Sequence, residues 1–342
     1  MPESRRARAS ARALSIPALG SKVFRFPGPG DMWSAALFHD LAPAETPLTH
    51  GLGVTYTPKA FDQWLELCSG RYRFSSLDEV RPLHQNPGGP RRLLVTFDDA
   101  YASVARVAAP ELAARGIPSV FFVNGDLLDN RSLALDNFIA AVVNLVGMAP
   151  VERVADRRFV SIGDVIDTHV ALLDGRERQR LRDELSAVSG LLPTSLLDEY
   201  RPYLSTEELQ RLPRMGMEIG NHTRSHVFCR TLDDAAVEDE IVAHQRELAR
   251  LVGRPIRAFA FPYGRTADAT PRTLAALAAS GHSDAFLVEG RLNRSAAAST
   301  EAAPHVRHRV SISARSSRDA VAELEWFPLL RDARSRFWAA QP

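Results

Sequence analysis

The strongest constraint is one stretch, Arg92-Leu93-Leu94-Val95-Thr96-Phe97-Asp98-Asp99, in which an apolar strand runs straight into two adjacent carboxylates. A helical pattern over residues 101–115 follows and is stopped by Gly116. Pro118 then leads into a second apolar strand, Ser119-Val120-Phe121-Phe122-Val123. Strand, helix and strand with a short return predict a βαβ unit with parallel strands. Side chains alternate sides along a strand, so Asp98 and Asp99 share one pocket only if the backbone turns there. This predicts a strand-end site, where α/β folds keep their chemistry. Taken alone, the pair reads more readily as a solvated turn capping the next helix.

The same rhythm extends along the chain. Strands are predicted over 32–38, 71–74, 217–219, 256–261, 284–288 and 306–313. Helices are predicted over 57–70, with Thr57 and Pro58 at its start, and over 205–214, opened by a capping box from Ser205 to Glu208. Further helices are expected over 235–252, 271–280 and 318–338. Residues 126–204 break the alternation with helical patterns over 135–146 and 176–188, so they are expected to form a mostly helical insertion overhanging the site, outside the barrel core. About seven strands separated by helices predict an α/β fold, a distorted (β/α) barrel, with an open doubly wound sheet as the alternative. The basic, Ala-rich residues 1–30 read as a disordered leader and 31–342 as one catalytic domain.

Charge excludes one class of partner. Lys and Arg number 42 against 41 acids, so there is no basic field to draw nucleic acid. Cys68 and Cys229 impose no disulfide framework. No stretch approaches the roughly 20 apolar residues of a membrane span, and no secretory signal is evident. The default expectation is the cytoplasm, with oligomeric state left open.

His222 and His226, in Gly220-Asn221-His222-Thr223-Arg224-Ser225-His226, carry the next constraint. The spacing puts two imidazoles on one face of a helical turn, a pattern that favours zinc or a similar divalent metal. Thr223 stands where the zincin motif needs Glu, which argues against a metalloprotease. An Asp at another strand end would supply the third ligand and leave a position open for water.

In their order, Thr96-Phe97-Asp98-Asp99, His222-Thr223-Arg224-Ser225-His226 and Pro262-Tyr263-Gly264 resemble the polysaccharide deacetylases (NodB-like, carbohydrate esterase family 4). The resemblance implies a metal-dependent hydrolase that removes acetyl groups from an N-acetylated saccharide and releases acetate, with zinc expected. It implies Asp98 as general base and Asp99, His222 and His226 as metal ligands. Pro262, Tyr263 and Gly264 would form a groove wall, with the Tyr263 N–H steadying the oxyanion. Three positions depart from the family. Ala100 replaces a glycine and fits if its φ is negative. Ala260 stands where many members carry an Arg that holds the catalytic Asp. No clean copy of the late Leu-x-His occurs, which leaves His305 and His308 as candidate general acids, ahead of His39. His308 would share a core-pointing face with Val310 and Ile312, and Arg309 would face away. The alternatives are a hydrolase of another C–N bond in a small amide, or a non-catalytic glycan-binding protein on the same fold.

Overall fold

The computed structural model describes residues 32–81, 90–295, 303–313, 316–325 and 328. The expected leader, Trp326 and Trp338 lie outside the described residues. The strands of the barrel wall are β1 (Met32–Phe38), β2 (Arg91–Phe97), β3 (Ser119–Val123), β4 (Glu218–Asn221), β5 (Ala258–Ala260), β6 (Asp284–Leu287), β7 (His305–His308) and β8 (Val310–Ser311), all parallel to their neighbours in it, and the expected short strand Tyr72–Phe74 pairs with the start of β2. They pair in the order β1-β2-β3-β4-β5-β6-β7. The last stave is split. β7 pairs with β6, from His305↔Asp284 to His308↔Leu287, and β8 then pairs with β1 at Ala36↔Val310 and Leu37↔Ser311. Residues 305–311 therefore join the two edges of the sheet and bring it round into a distorted (β/α) barrel.

A barrel strand is buried on both faces, because helices cover the outside and side chains fill the inside. The chain shows both layers. Trp33, Ala35, Leu94, Val120, Phe122, Ala258, Ala260 and Phe286 form the interior cluster. Leu93, Val95, Phe97, Phe121, Val310 and Ile312 belong to the outer cluster beneath the helices. There Phe97 and Phe121 stack at 4.8 Å, and Trp64 of α1 (Pro58–Ser69) is fully buried. Each such side chain contributes about 1.5–3 kcal/mol by leaving water. Gly220 is obligatory on β4, since a Cβ there would lie 2.3 Å from the Phe122 ring.

The two-layer burial corrects one expectation. Arg307, Arg309 and Ser311 alternate with His308, Val310 and Ile312 as expected, but the apolar set faces the helices and the arginines face the barrel interior. Arg309 is fully buried there, with its guanidinium 5.1 Å from the centroid of Phe122.

Residues 126–204 are mostly helical and include α2 (Leu135–Leu145), α3 (Ile162–Thr168) and α4 (Gly175–Ser189). They are not outside the core. Every residue of α2 from Leu135 to Val142 is buried, and Phe138, Ile139 and Val142 share the outer cluster with Phe97 and Phe121. Cys68 and Cys229 are free and buried. Among the described residues no helix is long and apolar enough to cross a membrane.

Candidate active site

The strand ends of β1, β2, β4, β5 and β6 surround a cavity of about 280 Å3. Asp98 and Asp99 enter it together because the chain turns left-handed at once after β2, with φ of 68° at Asp99 and 54° at Ala100. Ala100 thus holds the conformation that favours glycine, so the negative φ at which alanine would fit without strain is not met, at a cost of about 1–2 kcal/mol. The end of the insertion braces it: Leu204 N donates to Ala100 O and Ala102 N to Pro202 O, at 2.9 and 2.8 Å.

Asp99 Oδ1 lies 3.3 Å from both His222 Nε2 and His226 Nε2. It is buried without a hydrogen-bond partner. One ligand atom from each of the three residues lies within 4.8 Å of the others. A buried carboxylate oxygen facing two imidazole nitrogens is the donor set of a divalent cation with an open position, so these residues fit one. The imidazoles are held from behind. His222 Nδ1 is 2.8 Å from Ala260 O, a carbonyl that only accepts, so in the neutral ring Nε2 presents a lone pair. His226 Nδ1 lies 3.5 Å from Asp136 Oδ2.

The His pair does not sit on a helical turn. Residues 222–228 form a bent loop, left-handed at Thr223 (φ 61°) and His226 (φ 57°). Its hydrogen bonds explain how it keeps that shape. Asn124 Nδ2 donates to the carbonyls of His222 and Thr223, and Thr223 N donates to Asn221 Oδ1. Glu240 accepts from the backbone and hydroxyl of Ser225. Arg178 of α4 donates to His226 O at 2.9 Å.

Asp98 is held by Arg309, whose two terminal nitrogens donate to its two oxygens at 2.6 and 2.8 Å. Both groups are buried. Burial pushes the Asp98 carboxyl up, but Arg309 and then His222 outweigh it and hold the group below the ordinary carboxylate range. Asp99 is likewise raised by burial and lowered further by His226, His222 and His39, for a net fall. Burial lowers His226, but Asp99 and Asp136 reverse this and bring it above 6.5. Burial is the leading effect at His39 and takes it below 6.5, against the pull of Asp99 and Asp98.

Tyr263 is left-handed (φ 60°), its ring stacks on Phe228 at 3.6 Å, and its hydroxyl donates to Asp136 at 2.8 Å. Gly264 is required, because a Cβ would meet Val288 N at 2.4 Å. His39 lines the cavity with its Nε2 4.0 Å from Asp99 Oδ2. His305 and His308 do not line it. His305 pairs with Asp284 at the opposite end of β6, and His308, on the outer face, has its Nδ1 3.6 Å from Glu289. The late-histidine expectation therefore fails on strand direction and face. Asp136, Arg178 and Arg309 are the site residues the sequence reading missed. An acid near the start of the apolar helix α2 and an arginine alternating with apolar residues on the last strand were the available signals.

A family model described as polysaccharide deacetylase matches residues 85–282, more than half of the 342-residue chain. The chain belongs to the polysaccharide deacetylase family. It is a hydrolase of carbon–nitrogen bonds other than peptide bonds, in a family that acts on N-acetylated glycans with a divalent metal. No curated protein matches it in sequence. Solved structures share the fold. The Streptococcus pyogenes deacetylase PplD, in complex with acetate, is 16% identical with a TM-score of 0.54, over 87% of this chain and 99% of that one. IcaB from Ammonifex degensii is 20% identical with a TM-score of 0.53, over 86% and 98%. A de-N-acetylase from Aggregatibacter actinomycetemcomitans is 13% identical with a TM-score of 0.51, over 87% and 100%.

Proposed function

We propose that this deacetylase removes the acetyl group from an amino-sugar residue of a glycan, leaving a free amine and acetate. The observation that carries the reading is the convergence of Asp99, His222 and His226 beside a second, arginine-held carboxylate. Asp99, His222 and His226 would hold the metal, for which zinc would suit a two-imidazole, one-carboxylate set. A metal bound there would supply Lewis acidity for the hydrolysis. Asp98, kept ionised by Arg309, takes a proton from the water. The Tyr263 N–H donates to the oxygen that gains charge as the acetyl carbon becomes tetrahedral. His39 returns a proton to the leaving nitrogen, since it is the histidine other than the ligands that lines the cavity.

Ala260 leaves Asp98 without the arginine that many members carry at that position. Arg309, on the same barrel interior, now supplies that support. The cavity is small, which suits one acetamido sugar unit at the metal with any remaining chain outside. Residues 31–342 act in this reading as one catalytic unit that includes the insertion.

The test is acetate release from N-acetylated mono- and oligosaccharides by protein loaded in turn with Zn2+, Co2+ and Mn2+. Metal-dependent release that His222→Ala abolishes, with loss of stoichiometric metal, supports the reading. No acetate from any saccharide by metal-loaded wild type overturns it.

A further inference from the structure

Tyr101 follows the paired acids by two residues and is not used in the mechanism above. It is 3% exposed and lines the cavity with Asp98, Asp99, His222 and His226. A tyrosine hydroxyl has one proton, and the surrounding bonds decide where that proton goes. Asn137 of α2 contacts it from behind. Leu48 O, 2.8 Å from Asn137 Nδ2, can only accept, so the amide presents its NH2 group to Leu48 and, at 2.9 Å, to Tyr101 Oη. The amide oxygen faces the other way and accepts from Tyr203 Oη at 2.6 Å. Tyr203 is the donor there, because an amide oxygen can only accept, and its own oxygen accepts from Ala134 N at 3.1 Å.

The polarity of the chain is therefore fixed at both ends. Tyr101 Oη accepts from Asn137 and cannot donate back to it. Among the described residues no hydrogen bond takes up the Tyr101 proton. Tyr101 lines the same cavity as Asp98, Asp99 and the two imidazoles, so a substrate bound there meets its side chain.

We infer that Tyr101 is a hydrogen-bond donor to the bound substrate, locked in that direction by Leu48, Asn137 and Tyr203, and that its partner is an oxygen of the acetamido sugar beside Asp99. The inference rests on the deacetylase reading above. It also assigns a role to the insertion, since Asn137 and Tyr203 both belong to residues 126–204. Without them the hydroxyl could turn, and the donor would have to be oriented anew at each turnover.

The experiment compares Tyr101→Phe with Tyr203→Phe in metal-loaded full-length protein, with N-acetylglucosamine oligosaccharides as the probe. Each variant removes one hydroxyl from the same network, but only Tyr101→Phe removes the cavity donor. Tyr101→Phe is expected to lower kcat/KM at least about tenfold, the scale of losing one positioned donor, with metal content unchanged. A fall in kcat alone places the partner on the oxygen that gains charge, and a rise in KM places it on a ground-state oxygen. Tyr203→Phe is expected to lose several-fold less. Binding of the same oligosaccharide to the Asp98→Asn background by calorimetry supplies a readout independent of turnover, and a KM effect of Tyr101→Phe must reappear there. Wild-type kcat/KM in Tyr101→Phe overturns the inference, as does equal damage from Tyr203→Phe. Inactivity of metal-loaded wild type would instead overturn the deacetylase reading.

Discussion

Arg309→Met tests the electrostatics of the site most directly. In the native protein two charge-assisted hydrogen bonds of 2.6 and 2.8 Å tie Arg309 to Asp98, and both groups are buried. Removing one partner of a buried pair leaves an uncompensated charge and costs about 3–5 kcal/mol. Methionine approximates the volume, so a cavity adds little to that figure, but it gives up the guanidinium's place over Phe122 and Phe286. The pH dependence carries the sharper signature. The folded-state pKa of Asp98 is depressed. Its ionisation therefore contributes stability above the unfolded value of about 3.9, and that contribution is lost as pH falls through the folded value. In Arg309→Met only His222 and His39 still oppose the burial effect, and the carboxyl moves up. Once it passes the unfolded value the sign inverts, and ionising Asp98 opposes folding.

Two measurements follow. The acid limb of the kcat/KM profile shifts to higher pH in Arg309→Met, because the base is protonated over a wider range. The denaturation midpoint falls, and the gap from wild type widens as pH rises from about 4 to neutrality. Metal content stays stoichiometric, because Arg309 touches no ligand atom. Arg309→Lys, which keeps the charge but loses the planar fork, lies between the two. An acid limb and stability curve in Arg309→Met that superimpose on wild type would refute the argument.

His39→Ala is expected to lower turnover at least about tenfold with metal content kept; a wild-type rate would remove His39 from proton delivery. Ala100→Gly is expected to change unfolding free energy by less than about 1 kcal/mol. Relief of the left-handed cost, about 1–2 kcal/mol, is offset by a lost buried methyl of about 0.8 and by added unfolded-state freedom of about 0.4–1. A larger change in a denaturant titration would show that the loop is held differently. Replacing residues 126–204 with a short Gly/Ser linker is expected to give insoluble or metal-free protein, since Asp136, Arg178 and Leu204 all leave with the segment. Soluble protein with one metal per chain would show the segment to be separable.

The residues legible in the sequence are those whose role is set by local context. Asp98 and Asp99 announce themselves by ending an apolar strand, and His222 and His226 by their spacing after another. Tyr263 and Gly264 mark a strand stopping at a fixed turn. Each sits at a strand end, which a parallel barrel places on one face by construction, so finding the strands largely finds the site. What the sequence hides is partnership across distance. Arg309 reaches Asp98 over 211 positions, and Ala260 shows only that a partner is missing, not where its replacement stands. His308 shares the apolar stripe of its strand with Val310 and Ile312, and that stripe does not face the site. In a barrel the apolar stripe of the last strand can serve the helical layer, which leaves the interior to charged residues that meet the acids.

The insertion is hard to read for a related reason: a stretch that interrupts a repeating pattern looks added, and added elements look separable. The backbone argues otherwise. Asp99, Ala100, Thr223, His226 and Tyr263 all hold positive φ, a conformation that costs each non-glycine residue about 1–2 kcal/mol and persists only where surroundings over-determine it. Part of that over-determination comes from residues 126–204. Leu204 bonds Ala100, Arg178 bonds the carbonyl of His226, and Asp136 holds both the His226 ring and the Tyr263 hydroxyl. The acid turn, His226 and the Tyr263 turn are thus each fastened to the same segment. The strain that aims five side chains at one cavity is sustained from outside the motifs that supply them, and that is why the motifs alone describe the chemistry but not what keeps it in place.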